Sequence, residues 1–143
     1  MNLVIDASVL IKFYVPEIHS ERAEHLLMQV EQGDVILLAP DLIYSESGNT
    51  LWKKGRIKEL TRSEIDEITD AIISLPLKIE PSKPLLPLAM DMSVVYGITV
   101  YDAMYISLAR VYETKMMTAD GKLLDSLSKT DLKGNIICLR DYI

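Results

Sequence analysis

Four short apolar runs set the frame of this chain: residues 2–5, 35–39, 115–118 and 136–139. The central runs carry no polar alternation, so a strand built from them must be covered on both faces. Helical patterns lie between them. From Ser20, Ala23, Leu26, Leu27 and Val30 recur at helical spacing until Gly33. Pro40 and Asp41 open a helix expected to run to about Lys54, with Gly55 as its stop. Thr61 and Glu64 have capping-box spacing, ahead of Ile65, Ile68, Ile72 and Leu75. Strands alternating with helices, with apolar central strands, predict an α/β fold. The expected form is three layers, α/β/α, around a mostly parallel sheet of about five strands.

The remaining elements follow the same logic. Residues 7–14 predict a short helix that Pro16 ends. Residues 77–79 predict a short strand at the sheet edge. Residues 84–96 form a helix apolar almost all round, which Gly97 ends; such a helix is either deeply buried or part of an interface. Asp102 is expected to start a helix carrying Met104, Ile106, Leu108 and Ala109, and Asp120 another carrying Leu123, Leu124 and Leu127.

Length and composition bound the rest. The 143 residues, 49% of them hydrophobic, fit a single domain over residues 1–143 with a substantial core. The N-terminal apolar run is too short for a secretory signal, and no charge-free stretch has the length of a membrane span. Cys138 is the one cysteine, which suits a reducing, cytoplasmic setting without an intrachain disulfide. The net charge of −6 disfavours long-range attraction of nucleic acid. A nucleic-acid partner then requires a local basic patch or metal ions held by the acids.

Four acids fall where a parallel sheet places its ligands, outside the carboxyl ends of the strands. Asp6 ends the first strand, and a buried charge there is costly unless it is paired or binds a metal. Asp120 lies two residues beyond Thr118. Glu46 lies about a turn and a half into its helix, where a solvated helix face is its ordinary role. Asp102 and Asp120 both suit N-cap positions. Clustered carboxylates repel and raise each other's pKa unless a cation neutralises them. Oxygen ligands of this kind suit Mg²⁺ or Mn²⁺. His19, His25 and Cys138 show no zinc spacing, and the histidines read as structural or solvent-facing.

Four segments make the pattern specific: VIDASVLIKFYVPE, APDLIYSESGNTLWK, TVYDAMYISLA and MTADGKL, in this order across residues 4–123. Together they resemble the PIN domain, most closely the VapC toxin type of toxin–antitoxin pairs. The resemblance implies a metal-dependent endoribonuclease whose acids are Asp6, Glu46, Asp102 and Asp120. Asp6 and Asp102 would be the main metal ligands, and Asp120 and Glu46 would complete the site directly or through water. Ser8, Asn49 and Thr118 match the family's supporting polar positions, which hold the carboxylates by hydrogen bonds. Similar enzymes leave a 3′ hydroxyl on the upstream fragment. A VapB-type antitoxin, a homodimer and an RNA substrate are the implied partners, with no membrane. Phe13 and Tyr14 stand where relatives often carry tryptophan and another large apolar residue, a departure that bears on packing.

Other readings fit less well. A phosphatase of the haloacid dehalogenase type wants a second acid two residues after the first, and Ser8 stands there. A dinucleotide-binding domain wants G-x-G-x-x-G after the first strand, which is absent. A non-catalytic PIN-fold binding module would be signalled by a lost acid, and none is lost. A housekeeping RNA-processing nuclease shares the same site. The basic cluster of Lys53, Lys54, Arg56 and Lys58 reads first as charge complementing a helix C-terminus, with phosphate contact as its alternative. Tyr44 and Trp52, eight apart on one helix, read as core or as part of a groove for an antitoxin.

Overall fold

The computed structural model of the chain describes residues 1–16 and 20–142. Five strands form one sheet: β1 (Asn2–Ile5), β2 (Ile36–Pro40), β3 (Leu77–Glu80), β4 (Met116–Thr118) and β5 (Ile136–Cys138). Their order is β3-β2-β1-β4-β5, and every neighbouring pair is parallel. The helices are α1 (Ala7–Lys12), α2 (Ser20–Glu31), α3 (Leu42–Arg56), α4 (Arg62–Ser74), α5 (Ser82–Tyr96), α6 (Val100–Val111) and α7 (Gly121–Ser126). The chain steps one way from β1 to β3, then crosses back over β1 to β4 and β5. Right-handed crossovers therefore carry α1–α4 over one face and α5–α7 over the other. The expected three-layer architecture is the one observed, with the edge strand β3 where it was placed.

The core follows from the apolar runs. Val4, Ile5, Leu37, Leu38, Met116 and Met117 are fully buried in the three central strands. Ala23 and Leu26 of α2, Ile68 and Ile72 of α4, and Ala103, Ile106 and Leu108 of α6 pack against them. Ile65 and Leu75 of α4 are only partly buried and lie at the core's margin. Phe13 is buried too, and the neighbouring Tyr14 hydroxyl donates to the Ala71 carbonyl of α4 at 3.4 Å.

Several boundaries differ from the sequence reading. Helix α1 ends at Lys12, ahead of Pro16, because the Phe13 and Tyr14 N–H groups already close tight turns onto Leu10 and Ile11. Gly55 does not stop α3. It lies inside the helix, where Ile65 of α4 packs so close that a Cβ would meet its Cδ1 at 2.6 Å. The turn out of α3 is made by Lys58, with φ of 63°. Asp102 does not cap α6: Thr99 is the N-cap, and its hydroxyl accepts the Asp102 N–H at 3.1 Å. Asp102 sits in the first turn instead. Gly33 and Gly97 do take left-handed conformations at their helix ends. Among the described residues no single helix is long and apolar enough to cross a membrane. His19 lies outside the described residues, and the His25 ring lies 6.2 Å from that of Tyr142.

Candidate functional site

The chain adds strands on one side of β1 and then on the other, so the crevice outside the carboxyl ends of β1 and β4 is the switch point of the fold. Asp6 stands in that crevice. Its N–H donates to the Met117 carbonyl at 3.2 Å, continuing the ladder, and its side chain caps α1. Asp6 is therefore both a helix cap and a buried acid, 9% exposed.

Three donors hold its carboxylate. Oδ1 accepts from the Ser8 hydroxyl at 2.5 Å and from the Val9 N–H at 3.2 Å. Oδ2 accepts from the Thr118 hydroxyl at 2.6 Å. The two hydroxyls are tied in turn, since Ser8 Oγ accepts the Ala119 N–H at 2.9 Å and Thr118 Oγ1 accepts the Asp120 N–H at 3.0 Å. Each hydroxyl thus spends its proton on Asp6 and its lone pair on the turn after β4. The network binds the ends of β1 and β4 together and fixes the carboxylate's orientation. Burial nonetheless outweighs these donors, and with help from the nearby Asp102 charge it pushes the Asp6 carboxyl up to about 6.

The other three acids line the same cleft, of about 620 Å³. Burial raises the Asp102 carboxyl, offset in part by a hydrogen bond to Thr99, and the Asp120 charge raises it further. Asp120 is exposed and caps α7 through the Lys122 N–H at 2.9 Å. Glu46 is not a free helix-face residue. It is half-buried, and its Oε1 accepts the Tyr105 hydroxyl at 2.6 Å. Burial raises its carboxyl too, the Tyr105 bond opposes this, and Asp102 adds to the rise. The repulsion that couples Asp6, Glu46, Asp102 and Asp120 marks them as one electrostatic group. Asn49 also lines the cleft, but among the described residues it makes no hydrogen bond to the acids.

Tyr105 was not legible as a site residue. Its spacing places it among the apolar positions of α6, and it is 1% exposed. Burial and the adjoining Glu46 carboxylate keep its phenol protonated, so it serves Glu46 as a donor. The basic cluster divides. Lys53 and Lys54 line the cleft, whereas Arg56 lies over the Trp52 ring at 5.0 Å. Tyr44 and Trp52 are exposed, at 40% and 55%, and line clefts between α3 and α4, which removes the core reading for both.

An oxygen-only donor set of this kind suits a hard divalent cation, not zinc. Among the described residues, no three His, Cys, Asp or Glu side chains stand close enough together to hold a metal ion between them. An open set fits Mg²⁺ or Mn²⁺, ions that keep several waters and take one or two carboxylates directly.

Residues 3–129 match the PIN domain family. The chain belongs to that family. A relative, Ribonuclease VapC3 of Pyrobaculum aerophilum, is 34% identical over 127 residues, covering 87% of this chain and 94% of that protein. Among solved structures, PAE2754 from Pyrobaculum aerophilum superposes with a TM-score of 0.69 at 24% identity, covering 98% of this chain and 85% of the other. VapBC2 from Rickettsia felis, solved bound to a DNA fragment from its promoter, gives 0.65 at 11% identity, covering 96% and 98%. These two likenesses establish the PIN fold. The PIN match spans all four acids and every strand except β5.

Proposed function

We propose that this protein is a divalent-metal-dependent endoribonuclease of the VapC type, the toxin of a VapBC-type pair acting in the cytoplasm. The observation that carries this reading is the cleft at the switch point, where four carboxylates face one space and the most buried, Asp6, is held by three donors. Four acids are an unfavourable lining for a site that binds RNA unless a cation joins them. The 34% identity to a ribonuclease supports the substrate class.

Asp6 and Asp102 would hold the ion, with Asp120 and Glu46 completing the site directly or through water. When bound, Mg²⁺ or Mn²⁺ lowers the pKa of a water at the site and offsets charge on the phosphodiester. Ser8 and Thr118 keep Asp6 aimed. Glu46, oriented by Tyr105, would take a proton from the attacking water, whose oxygen bonds to phosphorus as the O3′–P bond breaks and the departing O3′ takes a proton from solvent. The upstream fragment then keeps its 3′ hydroxyl. Asn49 is available to the strand rather than to the acids.

A VapB-type antitoxin is the expected partner, and the exposed Tyr44 and Trp52 beside the α3–α4 clefts offer it an apolar surface. A homodimer through α5 is the expected assembly.

Cleavage of a mixed RNA pool tests the reading, with Mg²⁺ or Mn²⁺, with EDTA, and with Asp6→Asn. We expect metal-dependent cleavage that the substitution abolishes. Cleavage that persists in EDTA or in Asp6→Asn overturns the assignment. If neither protein cleaves, loss of Mn²⁺ affinity in Asp6→Asn still supports the metal site, and equal affinity removes it.

A further inference from the structure

The acids account for only part of the cleft. Lys12 of α1 and Lys53 and Lys54 of α3 also line it. Along α3, Glu46, Asn49 and Lys53 follow at helical spacing and share one face. Lys53 lies seven positions after Glu46, about 10 Å along the helix axis. Helix α1 repeats the arrangement, with Asp6 capping its start and Lys12 at its end, about 9 Å further on. Two adjacent helices therefore each bring an acid and, farther out, a lysine to the same cleft.

The helix dipole favours a basic residue near the end of α3, but it does not choose a face. Arg56 shares that last turn and turns away onto Trp52. Lys54 pairs with Glu59 at 3.3 Å. Lys53 is exposed and forms no ion pair among the described residues. In a chain of net charge −6, an ammonium facing the cleft is a local exception. A cation held by the acids would serve the phosphate being cut, not phosphates farther along the strand. A separation of about 10 Å is more than the gap between neighbouring phosphates of one strand, so the lysine meets a phosphate other than the one being cut.

We propose that Lys53, assisted by Lys12, binds a nearby backbone phosphate other than the scissile one, a subsite that sets the register of the RNA strand. The identity of the ligand as RNA rests on the ribonuclease reading. The lysine acts in binding and positioning and takes no part in bond making.

The test is binding of a short, labelled, mixed-sequence single-stranded RNA, read by fluorescence anisotropy between about 50 and 200 mM salt. All proteins carry Asp6→Asn, so that the probe stays intact. Lys53→Ala should weaken binding about two- to fivefold at the lowest salt and make the log–log salt slope shallower by about 0.7. Lys53→Arg should restore both. Lys133→Ala removes a lysine beside the amino end of β5, at the opposite edge of the sheet, and should leave the slope unchanged. A Lys53→Ala slope equal to that of the parent overturns the subsite, as does an equal effect of Lys133→Ala, which would reduce it to overall charge. The two readings fail separately. Metal-dependent cleavage by the wild type with coincident slopes sinks the subsite alone, whereas a shifted slope beside a wild type that neither cleaves nor binds Mn²⁺ more tightly than Asp6→Asn sinks the nuclease and keeps the subsite.

Discussion

With its carboxyl raised from 3.8 to about 6, Asp6 binds its proton more tightly in the folded chain than in the unfolded one. In the metal-free protein its contribution to stability is therefore fully present below about pH 3.8 and is lost as pH rises through about 6. The difference amounts to about 3 kcal/mol. Asparagine keeps the shape without the charge, so in EDTA at pH 7.5 Asp6→Asn should be the more stable protein by about 1–3 kcal/mol. Near pH 4 the advantage should vanish. Urea unfolding at the two pH values measures it, and a wild type at least as stable as the variant at pH 7.5 would contradict the burial argument. Tyr105→Phe tests the neighbouring acid. Removing the phenol should cost about 1 kcal/mol of stability. The lost bond lowers the Glu46 pKa, so its removal lifts that carboxyl further and moves the acid limb of the cleavage profile to higher pH. An unmoved limb would separate Glu46 from the proton transfer.

Elements were legible to the degree that their signals are local. The capping box is one such signal: the Thr61 hydroxyl accepts the Glu64 N–H at 3.1 Å while Glu64 accepts the Thr61 N–H at 2.9 Å. Thr61→Ala should therefore cost about 1 kcal/mol in urea unfolding. Gly97 is another, closing α5 at φ of 69°, and Gly97→Ala should cost a similar amount, about 1 kcal/mol, without touching the cleft. Gly55 misled because its signal is not local. Its lack of a side chain serves the close approach of Ile65 from α4, so α3 runs through it. Thr99 is not legible as the cap of α6, because Asp102, three residues on, is as good a cap by composition. The same limit explains the site. Asp6, Ser8, Thr118 and Asp120 sit at strand ends that the apolar runs mark directly. Tyr105 could only be found through its partner Glu46, on another helix and 59 residues earlier in the chain. The face chosen by Lys53 rather than Arg56 depends in the same way on where α1 and α4 pack.

At the scale of the whole molecule, the charge and the apolar surface are unevenly distributed, and α5 shows it most clearly. Its sequence predicted a helix either deeply buried or at an interface, and both outcomes occur on different faces. Leu85, Ala89 and Met92 are buried, while Leu86, Met90, Val94 and Val95 stay exposed, the two valines at 78% and 71%. Leu86, Met90 and Val94 follow at i, i+4 and i+8 and form one stripe, and Tyr101 at the start of α6 is exposed as well. Scattered apolar residues need no explanation, but a stripe of this length suits a covering partner, and the test is whether one exists. A second copy of the chain would supply a stripe that matches itself about a two-fold axis. Sedimentation of the wild type at micromolar concentration should then give a dimer. Met90→Glu with Val94→Glu should give a monomer with an unchanged far-UV spectrum, because neither residue belongs to the core. A monomeric wild type would remove the assembly. All four acids line one cleft of a single chain, so the monomeric variant should keep its metal affinity even where the assembly is lost. A fall in that affinity would mean instead that the second copy supports the cleft, and that chemistry and assembly in this protein are coupled.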